Sequence, residues 1–219
     1  MLNCILEAAR SLLVEPCCPL CRQSIEASAK GRPCEHCLGR LEISTALLNG
    51  TDPLPWQALA SYSGEFRKLV IRQRLVPDTT ELQGLVQLLA DRCTLERNAV
   101  LVPIPSWRRR RKQSFPELIA AGMGMECRPM LKRTRAGVGQ HSLNRHQRLA
   151  NLQGAFRAET RADWHGNDQV IWLADDILTT GGTALAASSA LEASGHRVAG
   201  LICLARTPPP GRDLRCRGR

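Results

Sequence analysis

The stretch Ile171-Trp-Leu-Ala-Asp-Asp-Ile-Leu-Thr-Thr-Gly-Gly-Thr183 changes character twice within thirteen residues. Gln169 to Ala174 has the length and apolar content of a buried parallel strand. Two carboxylates, Asp175 and Asp176, follow, and Thr179, Thr180, Gly181, Gly182 and Thr183 supply the hydroxyls and glycines of a turn. Thr183 to Leu191 carries the alanines and leucines of a helix that ends near Gly195. A strand entering a helix through such a turn gathers backbone N–H donors that lack partners inside the helix, and an anion fits there. Gly181 and Gly182 permit the turn and let a phosphate approach the backbone closely. The carboxylates are not phosphate ligands. Their partners are hydroxyls, such as the 2′ and 3′ groups of a ribose. The segment therefore reads as a holder of a phosphorylated ribose. With the apolar run Val198 to Leu204 it predicts one βαβ unit.

Two Cys-x-x-Cys knuckles, Cys18/Cys21 and Cys34/Cys37, are separated by twelve residues. Four thiolates so spaced suit tetrahedral Zn2+, in a closed structural site rather than a catalytic one. Two knuckles favour a shared metal over a redox pair. Cys17 is a spare neighbour, and His36 is not needed as a ligand. Cys4, Cys93, Cys127, Cys203 and Cys216 have no ligand spacing, and Cys203 falls in an apolar run that reads as core.

The net charge of +10 is uneven. Residues 101–157 hold twelve Lys or Arg against Glu117 and Glu126, so the remainder of the chain is neutral. Ala99 to Pro105 reads as a strand broken by prolines, and Trp107 and the run Arg108, Arg109, Arg110, Arg111 and Lys112 follow at once. A one-sided basic segment points to a polyanionic ligand, phosphoribosyl pyrophosphate, pyrophosphate or nucleic acid, with a solvated helix face as the alternative. Guanidinium groups grip phosphate oxygens bidentately.

A chain of 219 residues with 43% hydrophobic content fits one sizeable domain plus a small module. No apolar run reaches membrane-spanning length, so no membrane insertion is expected. The first ten residues lack a basic signal-peptide region, and a cytoplasmic location is expected. Residues 1–48 read as an N-terminal helix and zinc-binding module, 56–206 as the main domain and 207–219 as a disordered basic tail. Asn49 to Pro55 reads as a linker. Between it and the strand at 99, Trp56 to Ser63 reads as a strand, with helices over Glu65 to Arg74 and Glu81 to Arg92. Pro116 to Met125 reads as a helix entered through its proline. Arg133 to Ala155 reads as a mobile loop or partly ordered helix.

The thirteen-residue segment resembles the phosphoribosyl-pyrophosphate (PRPP) loop of type I phosphoribosyltransferases. That resemblance implies an α/β fold, a parallel sheet flanked by helices. It assigns Asp175 and Asp176 to the ribose hydroxyls, as binding and catalytic residues, and Thr179 to Thr183 to the 5′-phosphate. The loop after an early strand binds pyrophosphate in that class, which suggests Arg108 to Arg111 for the task. Over nearly its full length the chain resembles the ComF family, phosphoribosyltransferase-like proteins linked to competence and to growth on external DNA. The resemblance rests on the Cys18/Cys21/Cys34/Cys37 knuckles, Tyr62-x-Gly64 with a basic helix, and Val102-Pro-Ile-Pro105. It continues through Gln140, Arg145, Arg148 and Asn151 to Phe156, and ends at the PRPP loop. Where the family has Arg-Gly-Phe-Asn-Gln, this chain has Gln113-Ser114-Phe115-Pro116-Glu117. Arg74 also stands where lysine is more usual.

Two functions follow. One is transfer of a phosphoribosyl group from PRPP with release of pyrophosphate, Mg2+ accompanying PRPP and a loop over Arg133 to Arg148 closing to exclude water. That loop holds His141 and His146, but no general base is assigned. The other is a non-enzymatic single-stranded-DNA-binding accessory factor, partnered with DNA-uptake machinery, that uses the same loop for a phosphate or nucleotide. Scarce aromatic residues argue against the second, because sequence-neutral strand binding relies on stacking platforms.

Overall fold

Alternation of apolar runs with helix-forming segments produces a layered α/β architecture, described in a computed structural model for residues 15–106, 113–134, 154–159 and 169–208. The principal sheet contains β1 (Leu48–Gly50), β2 (Trp56–Ser61), β3 (Ala99–Pro103), β6 (Val170–Leu178) and β7 (Arg197–Arg206), in the order β1-β2-β7-β6-β3. All neighbours are parallel except the edge pair β1–β2. β4 (Leu131–Arg133) and β5 (Phe156–Ala158) form a separate antiparallel pair.

Helices cover both faces, as parallel strands require. A short α1 (Glu35–Arg40) lies in the second cysteine knuckle, and on one face of the sheet lie α2 (Gly64–Leu75), α3 (Thr79–Arg92) and α4 (Phe115–Gly122). Phe66, Val70, Leu85, Leu89 and Ile119 from these helices pack with Trp172, Ala174, Ile202 and Leu204 of the sheet. On the other face α5 (Gly182–Glu192) and the β4–β5 pair pack Ala184, Ala187, Leu191, Met130 and Phe156 onto Ile171, Leu173, Leu201 and Cys203.

Several elements differ from the sequence reading for identifiable reasons. β6 runs past Ala174 through both aspartates to Leu178, because β7 offers ladder partners all the way to Arg206. Asn49 and Gly50, within the expected linker, pair with Gln57 and Trp56 as an edge strand. Gly50 lies so close to Trp56 that an added Cβ would sit 2.7 Å from the indole. Helix α4 ends at Gly122, short of the expected Met125, and Gly124 follows in the left-handed region with φ +69°. Arg133 and Thr134 are ordered at the start of the expected loop, the Thr134 amide donating to Ala155 O at 3.0 Å. The expected N-terminal helix, most of that loop and all of the tail but Thr207 and Pro208 lie outside the described residues.

The departure at Gln113 to Glu117 has a local cause. Ser114 is the N-cap of α4 and Glu117 its third helical residue, and together they form a capping box. Glu117 N donates to Ser114 Oγ at 3.4 Å, while Ser114 N donates to Glu117 Oε2 at 2.5 Å. Pro116 sits in the first turn, where a missing N–H costs nothing. The Ser-x-x-Glu spacing announces such a cap in the sequence.

Among the described residues no helix is long and apolar enough to cross a membrane.

Candidate functional site

The carboxyl ends of parallel strands converge on one side of the sheet, the usual location of ligand sites in open α/β folds. Asp175 and Asp176 lie there near the end of β6, and Ile104 N donates to Ala174 O at 2.9 Å, holding the end of β3 beside them. Strand alternation directs the two carboxylates to opposite faces. Asp176 is only 7% exposed and pairs with Arg74 of α2, Nε to Oδ2 at 2.8 Å. Asp175 is half-buried toward the face that carries β4, β5 and Cys203. Its Oδ1 accepts the Asp176 amide at 2.8 Å, and Asp176 Oδ1 accepts the Ile177 amide at the same distance.

The electrostatics of the pair are asymmetric. Burial holds the Asp175 carboxyl well above the usual carboxylate range, and the neighbouring Asp176 charge adds to this. Arg74 works in the opposite direction, but it contacts the other member of the pair. Arg133, on β4, supplies the second cation. Burial lowers its pKa, and the attraction of Asp175 partly restores it. Its guanidinium lies 5.1 Å from the Phe156 ring centroid and donates to Pro105 O at 3.4 Å. Two acids thus interact with two arginines brought from distant parts of the chain, Arg74 through an ion pair and Arg133 through its field.

The turn beyond β6 places a glycine where the chain enters α5. Gly181 adopts a left-handed conformation, φ +77°, and serves as the N-cap of α5. A Cβ at this position would overlap the Pro53 ring, so glycine is required for space as well as for backbone angle. No side chain caps the first turn of α5 or of α2, whereas Asp78 caps α3 and Ser114 caps α4. The helix begins at Gly182, one residue earlier than expected. Asp175, Asp176 and Thr179 to Thr183 are therefore contiguous at one strand–turn–helix corner. Arg108 to Arg111 follow the end of β3 in the chain but lie outside the described residues.

At the other end of the chain, Cys18, Cys21, Cys34 and Cys37 bring their sulfurs within 4.8 Å of one another. Cys18 and Cys37 are 3.9 Å apart, and Cys21 and Cys34 are 3.7 Å apart. Sulfurs bound at ~2.3 Å to a tetrahedral Zn2+ are roughly 3.8 Å from each other, so the donor set fits a metal ion. Burial opposes the Cys18 thiolate, but backbone donors from Cys21, Cys34 and Leu20 outweigh it and bring the thiol down to about 6. Burial and the other three sulfurs push Cys37 up. Cations resolve such crowding by stabilising all the thiolates together. His36 is exposed and takes no part in the cluster. The knuckles share the main core: Leu38, Leu41 and Ile43 join the cluster of α3, and Pro19 packs so tightly on Gly84 that a Cβ there would sit 2.5 Å from its Cγ. Arg32 pairs with Asp91 at 2.7 Å across the same contact.

Sequence reasoning noted Arg74 without assigning it a role, and missed Arg133 as a partner of the acids. It also missed Pro53 and Arg206, which border the turn. No local pattern marks these residues, since each reaches the site only through the packing of another element.

The fold and site define an α/β protein with a phosphoribosyltransferase-like sheet and a four-cysteine cluster. The chain is similar to two kinds of known protein. The DNA utilization protein YhgH of Escherichia coli K12 is 29% identical over 213 residues, covering 87% of this chain and 84% of that protein. The protein of the same name from Salmonella typhimurium LT2 is 27% identical over 213 residues, with the same coverage. An adenine phosphoribosyltransferase of Frankia casuarinae is 50% identical over 62 residues, 27% of this chain and 32% of that protein. No protein-family model matches the chain.

Proposed function

We propose that this chain is a ComF-family protein that binds PRPP, or a related ribose phosphate, at the corner between β6 and α5. The observation that carries the reading is the juxtaposition of Asp175 and Asp176 with an uncapped, Gly181-initiated helix N-terminus. In this reading the amides of the turn and first helical residues hold the 5′-phosphate. The carboxyls of Asp175 and Asp176 hold the ribose hydroxyls, with Arg74 orienting Asp176. Arg108 to Arg111 grip the pyrophosphate from the chain that leaves β3. Mg2+ bound to pyrophosphate offsets its charge when present. Zn2+ is the ion that the four cysteines suit, as a structural clamp between the knuckles and α3.

A phosphoribosyl transfer breaks the bond between the anomeric carbon and pyrophosphate, and forms one to the acceptor. Positive charge develops on the ribose ring between these events. Catalysis would then be mostly positioning and electrostatic stabilisation, with the aspartates fixing the ring and adjacent to its charge. The relatives named for DNA utilization support a role in taking up or using external DNA, in which the phosphoribosyl site serves nucleotide or DNA-end chemistry.

Calorimetric titration of PRPP–Mg2+ into the wild-type chain tests the assignment. Saturable binding is expected, lost in Asp175→Asn and Asp176→Asn. Equal binding by all three proteins removes the ribose-phosphate reading. A pyrophosphate-release screen across candidate acceptor bases then separates a transferase from a binding protein. The same DNA-utilization relatives favour a second reading, a single-strand-binding accessory factor. It requires salt-dependent affinity for single-stranded DNA that falls when Arg108 to Arg111 become alanine.

A further inference from the structure

The candidate phosphate turn is held from outside by residues that lie far from it in sequence. Arg206, the last residue of β7, donates from Nη1 to Leu178 O at 3.0 Å and also to Thr179 O. Its guanidinium lies over the indole of Trp56, 5.4 Å from the ring centroid. Trp56 is fixed in turn, its Nε1 donating to Asp52 O at 3.1 Å. The next residue, Pro53, presses its ring against Gly181. The Thr207 amide donates to Leu178 O as well, at 2.9 Å. A strap from the β1–β2 connection and the end of β7 therefore brace the turn.

Peptide geometry gives this bracing a consequence. In a trans peptide the carbonyl of one residue and the N–H of the next point in opposite directions. Pinning Leu178 O and Thr179 O to one guanidinium therefore aims the Thr179 and Thr180 amides away from Arg206. Those amides belong to the turn assigned to the 5′-phosphate. The aromatic face beneath the guanidinium limits its movement and contributes cation–π attraction. Lysine reproduces the arrangement only in part: one nitrogen, Nη1, bridges both carbonyls and an ammonium can do the same, but lysine has no planar guanidinium to stack on the ring.

We propose that Arg206, braced by Trp56, is a positioning residue that preorganises the Thr179–Thr183 turn for the phosphate end of its ligand. This rests on the ribose-phosphate reading of the same corner. Arg206 acts through the backbone, so its loss should affect the phosphate terminus and spare the pyrophosphate-binding segment.

The test compares wild type, Arg206→Lys and Arg206→Met by calorimetric titration with ribose 5-phosphate and, separately, with pyrophosphate–Mg2+. Arg206→Met is expected to weaken ribose 5-phosphate roughly tenfold, about 1.4 kcal/mol, with pyrophosphate affinity unchanged. Arg206→Lys should fall between the two, and it carries the test if the methionine variant does not fold. Hydrogen exchange provides the second readout: the amides of 179–183 exchange faster in the variants, while those of β6 from 170 to 174 keep their protection. Equal weakening of both ligands would mean general damage and overturn the inference. Unchanged ribose 5-phosphate affinity in a variant, beside a wild type that binds it, overturns the inference alone. A wild type that binds neither ligand removes the ribose-phosphate reading and this inference with it.

Discussion

Asp175→Asn is expected to stabilise the ligand-free protein while abolishing its response to PRPP. The substitution keeps the shape of the side chain, and the amide oxygen still accepts the Asp176 N–H that Asp175 Oδ1 accepts at 2.8 Å. What it removes is a half-buried charge next to another acid. Burial and the Asp176 charge raise the Asp175 pKa. A carboxyl raised in the folded state binds its proton more tightly there than in the unfolded chain. Stability therefore falls as pH rises from the ordinary carboxylate value through the folded-state value. Asparagine has no such proton, so the advantage of the variant is absent below about pH 4 and grows toward neutral pH. Relief at a functional site of this kind contributes about 1–2 kcal/mol. For a chain of 219 residues that is a rise of about 2–8 °C in Tm. Ligand at a hundredfold over its Kd adds about 2.7 kcal/mol, roughly 5–11 °C, to wild type alone. The order of melting should thus reverse when PRPP–Mg2+ is added. Asp176→Asn should have the opposite sign without ligand, because it deprives Arg74 of its partner at 2.8 Å. The Arg74 side chain is 49% exposed, so solvent screening holds that loss to about 1 kcal/mol. Thermal unfolding from acid to slightly alkaline pH, with and without ligand, measures all of this. An Asp175→Asn protein that melts at or below wild type near pH 8, or whose advantage shrinks as pH rises, refutes the reasoning.

Three further outcomes are expected. Cys18→Ser or Cys37→Ser should release a bound metal, measured as zinc per chain by elemental analysis, and lower Tm because the knuckles share the core of α3; full stability without metal contradicts the clamp. Ser114→Ala should cost about 1 kcal/mol in urea unfolding through loss of the α4 cap, and an unchanged midpoint would rule out the capping box. Gly181→Ala combines left-handed strain of about 1–2 kcal/mol with overlap on Pro53. It should lower both Tm and PRPP affinity, and a variant that retains both disproves the geometry of the turn.

The readable parts of this chain were those whose physics is local. The apolar run into Asp175 and Asp176, the glycines of the turn and the alanine-rich helix each announce their structure through neighbours in sequence. So do the cysteine knuckles, whose sulfurs converge within 4.8 Å. The Ser114–Glu117 box is equally local, since both of its hydrogen bonds join residues three apart.

Local patterns along the chain are enough for one parallel βαβ unit, a four-thiol cluster and a strand–turn–helix corner with two acids. Side-chain periodicity, helix propensity and ligand spacing act over a few residues, so they survive in a linear reading. The tertiary structure alone decided that β6 extends through the acids, because strand length depends on a partner, here β7. It alone brought Arg74 and Arg133 to the carboxylates, Pro53 onto Gly181 and Arg206 onto the turn carbonyls. Each of those contacts joins elements distant in the chain, and their order in space is fixed by burying both faces of the sheet rather than by any residue's neighbours.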